Sequence, residues 1–510
     1  EAFSISDIAA RLGESRFGGA VRLAFDEAAA TVDLAARTLD LRPYIRGGTA
    51  EMVGQLLDRD GLSALEAETW QVALRANRLI LPEFAASDVE TRLSIDSAAV
   101  VIEQVALSGD DGLSVAGGGR YPLGENEAAE LRMSLASNSA APITDLASAI
   151  PGASEWIAPH MARLRAATPL HLTASLRPST VEDGFWLRVD GTAGQTEVLA
   201  NARVYGGGRY HLALNAENRT LRALTEQVAP DLTDWLNIAQ ATGPARLRAD
   251  FAGETNQPWQ GTAEIATDAV RLAFDGSAEP DTLRLDGEVT IDAPRAEDAL
   301  ALAGLPAGEG GLLAARAAVS SEGSVYRAND LRVDLAGQAT TGNARLDVSG
   351  AVPRIEANLN AARFNLASAA ALLLERRPSD SAEFWPDAPF ATEALRGVSG
   401  SLSLAADELD VADGLSLKDA TLLARLEGGG LRVPMLSGML YGGEAVASAE
   451  LRPARGRMVF DGELVITELE LAQMPHGEGA PLATGSAELT LRAESEGLSP
   501  RGLMTVMSGT

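Results

Sequence analysis

The chain of 510 residues contains no cysteine. This absence excludes disulfides, thiolate metal ligands and cysteine nucleophiles, and it is compatible with an oxidising compartment. Basic residues are also scarce, with 42 Lys and Arg against 71 Asp and Glu and a net charge of −29. Such a charge argues against nucleic acid or an anionic membrane surface as a direct partner, since both require basic patches. No run reaches the roughly 18 apolar residues that would span a bilayer as a helix.

Residues that usually carry chemistry are few and scattered. The four histidines lie in separate segments without ligand spacing and are best explained as ordinary surface or core residues: His160, His171, His211 and His476. The glycine triplets at 117–119 and 206–208 lack the helix and lysine that follow a phosphate-binding loop, so they indicate hairpin turns. No serine-nucleophile elbow and no zinc-protease motif occurs. We therefore expect no catalytic residue, no metal site, no cofactor and no enzymatic activity.

The chain does contain a long series of alternating apolar and polar residues. Within 364–451, the segments GSLSLAADELDV, GLSLKDATLLARLEGGGLRV and MLYGGEAVASAELRP are separated by glycine or aspartate. This pattern predicts one half-buried strand after another, and tight turns between successive strands exclude parallel α/β packing. Helical segments are predicted only at intervals, over 42–67, 142–169, 219–241, 295–306 and 364–377.

An apolar face shared by many strands must be covered by something. Four or so helical segments are too few to roof roughly thirty strands, which leaves a sandwich, a closed barrel or a long sheet curled on itself. The last is favoured because LDLRPYIRGG with its following linker and strands resembles FNLASAAALLL with its own linker and strands, and such a repeat indicates an extended array. We predict a mainly β fold: a long, curled antiparallel sheet that forms a taco-like, elongated groove, with a few short helices.

The concave face of such a sheet forms an apolar trough, in which small Ala and Gly leave room for an apolar guest. Two lipid acyl chains hold about 30 methylenes, and their exposure to water would cost ~20 kcal/mol or more. Leu417 is predicted to face inward and Lys418, the only lysine, outward. The residues predicted to line this lipid groove are Leu402, Leu404, Leu415, Leu417, Leu422, Leu426, Leu431, Val433, Leu464, Ile466, Leu489 and Leu491. The alternative is a sheet whose facing sides pack shut, and the pattern alone weighs both equally.

Residues 281–510 resemble the AsmA-like family. The marks are LAGLP at the end of a short helix, Y-x-x-x-D-L from Tyr326, P-x-I-x-A-x-L from Pro353, and above all the phrase LSGMLYGGEAVASAEL. The resemblance implies a periplasmic protein of Gram-negative bacteria, anchored in the inner membrane by an N-terminal helix. It also implies a β-rich groove similar to bridge-type lipid-transfer proteins, with a role in outer-membrane lipid homeostasis.

Differences in strand pattern, helical inserts and family resemblance divide the chain into four regions, which we expect to form one continuous sheet. They are an N-terminal β-repeat region at 1–141, a β-repeat region with two helical inserts at 142–280, an AsmA-like repeat at 281–363 and a truncated AsmA-like C-terminal region at 364–510. Because the chain begins and ends in mid-pattern, we expect a piece of a longer protein whose anchor and C-terminal end are missing.

These observations predict a non-enzymatic lipid-transfer or lipid-shielding protein of the bacterial envelope. It would carry phospholipid acyl chains between the inner and outer membranes, with envelope proteins as further partners and no role for nucleic acid. The alternative is a periplasmic assembly or scaffold protein for outer-membrane biogenesis, with a closed and packed sheet. A surface solenoid such as an adhesin is a third, weaker reading.

Overall fold

A computed structural model describes most of the chain and defines a mainly β fold. The described residues are 2–26, 28–45, 69–123, 129–150, 157–179, 184–228, 242–255, 257–279, 284–302, 311–350, 352–366, 396–412, 415–454, 456–474 and 484–509. They form 27 strands of a mixed, open sheet and a few short helices. The predicted fold class is therefore confirmed in its mainly β character, its large sheet and its few helices.

The chain divides into two compact units, which we describe separately. Unit 1 comprises Glu1–Pro230 and Arg246–Gln257, and unit 2 comprises Asp231–Ala245 and Pro258–Thr510. The four regions defined from the sequence pattern stay a prediction. The two units are defined by contacts between residues, so they do not test boundaries drawn from the sequence pattern.

Unit 1 is built from strands that mostly pair with their predecessors. The strands are β1 (Ala2–Leu12), β2 (Ser15–Ala24), β3 (Ala29–Asp40), β4 (Thr69–Ile80), β5 (Ala85–Asp96), β6 (Ala99–Ser108), β7 (Ser114–Pro122), β8 (Glu130–Ser137), β9 (Leu170–Pro178), β10 (Gly184–Ala193), β11 (Thr196–Tyr205), β12 (Arg209–Thr220) and most of β13 (Thr242–Glu254). Its helices are α1 (Ala140–Ser148), α2 (Met161–Ala167) and α3 (Leu221–Val228). These helices confirm the predicted helical inserts as far as they are described, while most of 42–67 and all of 229–241 lie outside the described residues.

The helices of unit 1 pack at one end of the neighbouring strands. Ile143 of α1 belongs to the same buried cluster as Leu170 of β9 and Ala193 of β10. A buried polar chain holds α3, because the Asn218 amide donates to the Thr196 hydroxyl at 2.7 Å. That hydroxyl donates in turn to the side-chain oxygen of Gln227, also at 2.7 Å. Such fully bonded buried polar groups fix one position for the helix.

Unit 2 follows the same plan of successive strands. The strands are β14 (Trp259–Ala266), β15 (Arg271–Glu279), β16 (Arg284–Ala293), β17 (Leu313–Glu322), β18 (Val325–Leu335), β19 (Gln338–Asp347), β20 (Arg354–Asn365), β21 (Ser399–Ala412), β22 (Leu415–Glu427), β23 (Gly430–Leu440), β24 (Gly443–Ala454), β25 (Arg457–Glu470), β26 (Ser486–Gly497) and β27 (Ser508–Gly509). Two short helices are described, α4 (Ala296–Leu302) and α5 (Pro500–Thr505). Helix α4 confirms the helix predicted over 295–306, whereas nearly all of the helix predicted over 364–377 lies outside the described residues.

The prediction of an antiparallel sheet needs one correction in each unit. Strand β3 pairs with β4 in parallel, and β20 pairs with β21 in parallel. A parallel pair needs a long crossover, and the connections at 41–68 and 366–398 supply the length. The remaining pairings with registers among the described strands are antiparallel, as tight turns require.

The two parallel pairs support the internal repeat seen in the sequence. In unit 1, eight successive partners run from Ala29↔Thr69 to Ala36↔Ala76, one position is skipped, and three partners follow. In unit 2, eight partners run from Arg354↔Ser399 to Ala361↔Ala406, one position is skipped, and again three follow. The same register in both pairs indicates that both units contain the same structural element.

At the skipped positions the alternation of inward and outward residues is interrupted. We call this irregularity, which crosses the paired strands, the crease. Along β22, Leu417 faces inward, Lys418 and Asp419 both face outward, and Ala420 faces inward again. Asp419 has a φ of 51°, and Asp88 holds the same place in β5 with a φ of 49°. Aspartate tolerates this left-handed conformation better than most residues, which suits it to a bulge that inserts one extra outward residue. The crease thus keeps apolar residues on one face where strict alternation would turn them outward.

Candidate functional site

The twelve residues predicted to line a groove all lie on one face of the sheet of unit 2. Directly opposite partners share a face, and the register joins Leu404 to Leu422, and Ala447 to Leu464 and then Leu491. Across β21 to β26 the same register, with the crease included, collects all twelve side chains. We call this the apolar face of unit 2.

Burial divides the predicted residues into three groups. Four are buried, with relative exposures of 5% or less: Leu404, Leu417, Leu422 and Ile466. Five are half-buried: Leu402, Leu415, Leu426, Val433 and Leu464. Three are exposed by 36–45%: Leu431, Leu489 and Leu491. The first group therefore belongs to a packed core, and only the other two groups present apolar surface that a ligand can reach.

A buried cluster surrounds the crease, and the sequence prediction did not include several of its residues. Leu409 is fully buried, and Leu440 and Leu469 are each 5% exposed in the same cluster as Leu404 and Leu417. The sequence signal for them is a spacing of three between inward residues within a strand, as between Ala406 and Leu409. A search for strict alternation passes over that spacing.

Strand β24 carries a strip of small side chains across the apolar face. Its inward residues Ala445, Ala447 and Ala449 make up what we call the alanine strip. Leu436 and Leu464 lie opposite Ala447 on the two neighbouring strands, whereas Ala445 faces Gly438 and Ile466, and Ala449 faces Val433 and Gly462. Neighbouring strands lie about 4.8 Å apart, so the backbones of β23 and β25 stand roughly 10 Å from each other across the strip. The strip is therefore a depression between Leu436 and Leu464 at Ala447, whereas Ala445 is buried in the cluster that contains Leu404 and Leu417.

The opposite face of unit 2 is charged, which fixes the orientation of the sheet in water. The Arg363 guanidinium donates to the Asp410 carboxylate at 2.9 Å and lies 3.9 Å from Glu408. Arg492 of β26 likewise pairs with Glu463 of β25 at 2.9 Å. The lone lysine, Lys418, is exposed on this charged face, next to the buried Leu417. Buried and exposed neighbours therefore follow the inward and outward assignments made from the sequence for this pair.

The Arg363–Asp410 pair gives a pH dependence whose sign can be worked out. The hydrogen bond from Arg363 holds the pKa of the Asp410 carboxyl below its ordinary value. A carboxyl with a depressed folded-state pKa stabilises the fold above its unfolded pKa, near pH 4, and the stabilisation is lost as the pH falls through the folded pKa. We expect Asp410→Asn to flatten the fall in melting temperature below about pH 4, as thermal unfolding monitored by circular dichroism would detect. Asp461→Asn, an exposed carboxylate of β25, is the control, and equal slopes in both variants would contradict the assignment.

Candidate metal ligands do not cluster in the part of the chain that the structure describes. Within it, no three His, Asp or Glu side chains are arranged to hold a metal ion. His211 pairs with Asp250 at 2.8 Å on the surface of unit 1, and His476 lies outside the described residues. Among the same residues, no helix has the length and apolar character needed to cross a membrane. No protein-family model matches this chain, and no curated protein or solved structure shows significant similarity to it.

Proposed function

We propose that the chain is a non-enzymatic lipid-shielding or lipid-transfer protein whose apolar face in unit 2 holds phospholipid acyl chains. The observation that carries the proposal is the alanine strip, a depression between leucine-bearing strands with solvent-reachable apolar side chains beside it. The backbones of β23 and β25 lie about 10 Å apart, and the short alanine side chains between their leucines leave space for a single row of methylenes. Each methylene that leaves water contributes about 0.8 kcal/mol.

The polarity of the two faces suits this role. Acyl chains lie against Leu431, Leu464 and Leu491 on the apolar face, while the lipid head group stays in water at the rim. The ion pairs of the opposite face keep that side hydrated, since charged pairs stay at the solvent boundary. A uniform aliphatic surface gives an acyl chain a similar binding free energy at each position, so no single position would hold the lipid strongly.

The setting that we propose rests on the resemblance to AsmA-like proteins. It is the periplasm, with attachment to the inner membrane through an N-terminal anchor and delivery of phospholipid toward the outer membrane. Envelope proteins at either membrane complete the route. The LSGMLYGGEAVASAEL phrase, which carries the resemblance, contains the alanine strip itself.

The buried cluster at the crease favours a second candidate, a scaffold protein with a packed sheet. Leu404, Leu409 and Leu417 are closed to solvent, which is the arrangement a scaffold would need over the whole face. The half-buried and exposed leucines away from the crease favour the lipid-binding role, because a fully packed sheet would bury them as well.

Photo-crosslinking distinguishes the two candidates at neighbouring residues. A photoreactive residue at Leu431, on the apolar face, is expected to form lipid adducts in cells, whereas one at Arg432, on the opposite face, is expected to form few. Mass spectrometry of the purified adducts provides the measurement, alongside an organic-solvent extract of the unmodified protein. Equal labelling at the two positions would remove the face assignment, and no adduct at Leu431 together with a lipid-free extract would favour the scaffold.

A further inference from the structure

A cavity of about 560 Å³ lies on the charged outer face of unit 1, remote from the apolar face of unit 2 in sequence. It is formed by β10, β11, β12 and β13. The register places Asp190 opposite Leu199, and Leu199 opposite Asn215, so these side chains stand together on the outer face. Inward neighbours such as Ala216 and Leu247 are buried, which confirms which side of the sheet the cavity occupies.

Long arginine side chains form the walls of the cavity, and shorter side chains form its floor. Arg188 rises from β10 at one side, and Arg246 and Arg248 rise from β13 at the other. Leu199 and Asn215 lie between them on β11 and β12. Two long walls over a low floor make the concavity.

Ion pairing leaves one charge of each sign unused in this cavity. Arg246 pairs with Glu217 at 3.2 Å, and Arg188 lies 3.7 Å from Asp190. Arg248 and Glu197 also line the cavity, and neither forms a hydrogen bond or ion pair with any described residue. The cavity therefore offers an unpaired guanidinium and an unpaired carboxylate together.

We propose that this cavity binds a small organic zwitterion, with its anionic oxygens on Arg248 and its ammonium group on Glu197. A guanidinium presents a planar fork of donors that matches phosphate or carboxylate oxygens, and a carboxylate accepts hydrogen bonds from an ammonium. The volume falls within the range of roughly 300–1,000 Å³ that small-molecule sites occupy. The half-buried Leu199 gives the carbon skeleton of the ligand an apolar contact. The same chemistry occurs in a free solute and in a zwitterionic lipid head group.

Titration calorimetry with phosphoethanolamine tests the site on the whole chain. We expect phosphoethanolamine to bind at least about tenfold more tightly than ethanolamine or glycerol phosphate, because each of these supplies only one of the two charges. Arg248→Gln and Glu197→Gln are each expected to weaken binding about tenfold. The control is Arg332→Gln, an exposed arginine of β18 in unit 2 without a partner among the described residues, which is expected to bind like the parent protein.

A second arm identifies the source of the zwitterion. Flotation with vesicles that contain phosphatidylethanolamine, compared with vesicles that contain phosphatidylglycerol in its place, reports recognition of a zwitterionic head group in a membrane. Binding of soluble phosphoethanolamine without vesicle binding assigns a free solute, and vesicle binding that Arg248→Gln abolishes assigns a lipid head group. Absence of binding in both arms, or binding that neither Arg248→Gln nor Glu197→Gln weakens, overturns the proposal. Because this site uses other residues than the apolar face of unit 2, its failure leaves the lipid-shielding proposal standing, and the reverse also holds.

Discussion

If the alanine strip binds acyl chains as proposed, Ala447→Trp is expected to remove most of the lipid that would co-purify with the protein. The substitution fills the alanine strip between Leu436 and Leu464, where an acyl chain would lie. An indole ring displaces roughly four methylenes of the chain, so about 3 kcal/mol of burial is lost, which corresponds to an affinity loss on the order of a hundredfold. Lipid extracted per mole of protein, measured by mass spectrometry, provides the readout.

The matched control is the next residue along the same strand. Ser448 is exposed on the opposite face, so Ser448→Trp adds the same ring without entering the strip. We expect this variant to retain lipid at the parent level and to fold as the parent does. Equal loss in the two variants would show that the strip is not the site of lipid binding.

The second large effect is expected on stability, at the crease. Leu409 is fully buried, and Leu409→Ala leaves a cavity in a cluster whose neighbours are held by strand pairing and cannot close in. Such truncations cost about 2–5 kcal/mol, whereas Leu431→Ala, at a residue that is 40% exposed, is expected to cost less than about 1 kcal/mol. Urea unfolding followed by circular dichroism measures both. Similar midpoints for the two variants would mean that the crease is not a packed core.

The alternation of residues predicted strands in unit 2, and the twelve residues chosen from it lie on one face of the sheet. In β24, Ala445, Ala447 and Ala449, which the sequence prediction did not name, follow the same period of two. That pattern carries no information about what lies over a face, however. Leu404 and Leu431 share the same face and the same alternating signal, yet one is buried and the other exposed.

The crease shows where local pattern reasoning stops. Strict alternation would put Leu417 and Asp419 on the same side, and the bulge separates them. The bulge depends on one residue in the left-handed backbone conformation. Aspartate tolerates this conformation but also adopts others, so the residue type alone does not predict the bulge. The parallel pairings escaped prediction for a different reason. They depend on where a long connection returns, and the strand sequences themselves are compatible with either direction.

The sequence similarity between LDLRPYIRGG and FNLASAAALLL, each with its following linker and strands, was more informative than either segment alone. A repeat of linker and strands suggested a shared unit, and the two parallel pairs share one register down to the skipped position. The outer cavity of unit 1 had no comparable signal. Arg248 and Glu197 lie on separate strands, and only the sheet register brings their charges into one cavity.

The pairing of each strand with its predecessor has a consequence for how the chain folds. Most described strands pair with the strand that precedes them in the chain, so each new strand has its template in place as soon as it emerges during synthesis. Among the described pairings, the returns to β4, β9 and β21 close the longest connections, at 41–68, 138–169 and 366–398. These three steps are expected to set the folding rate, and the growing sheet waits at each of them with an unpaired edge, where aggregation or a chaperone would act.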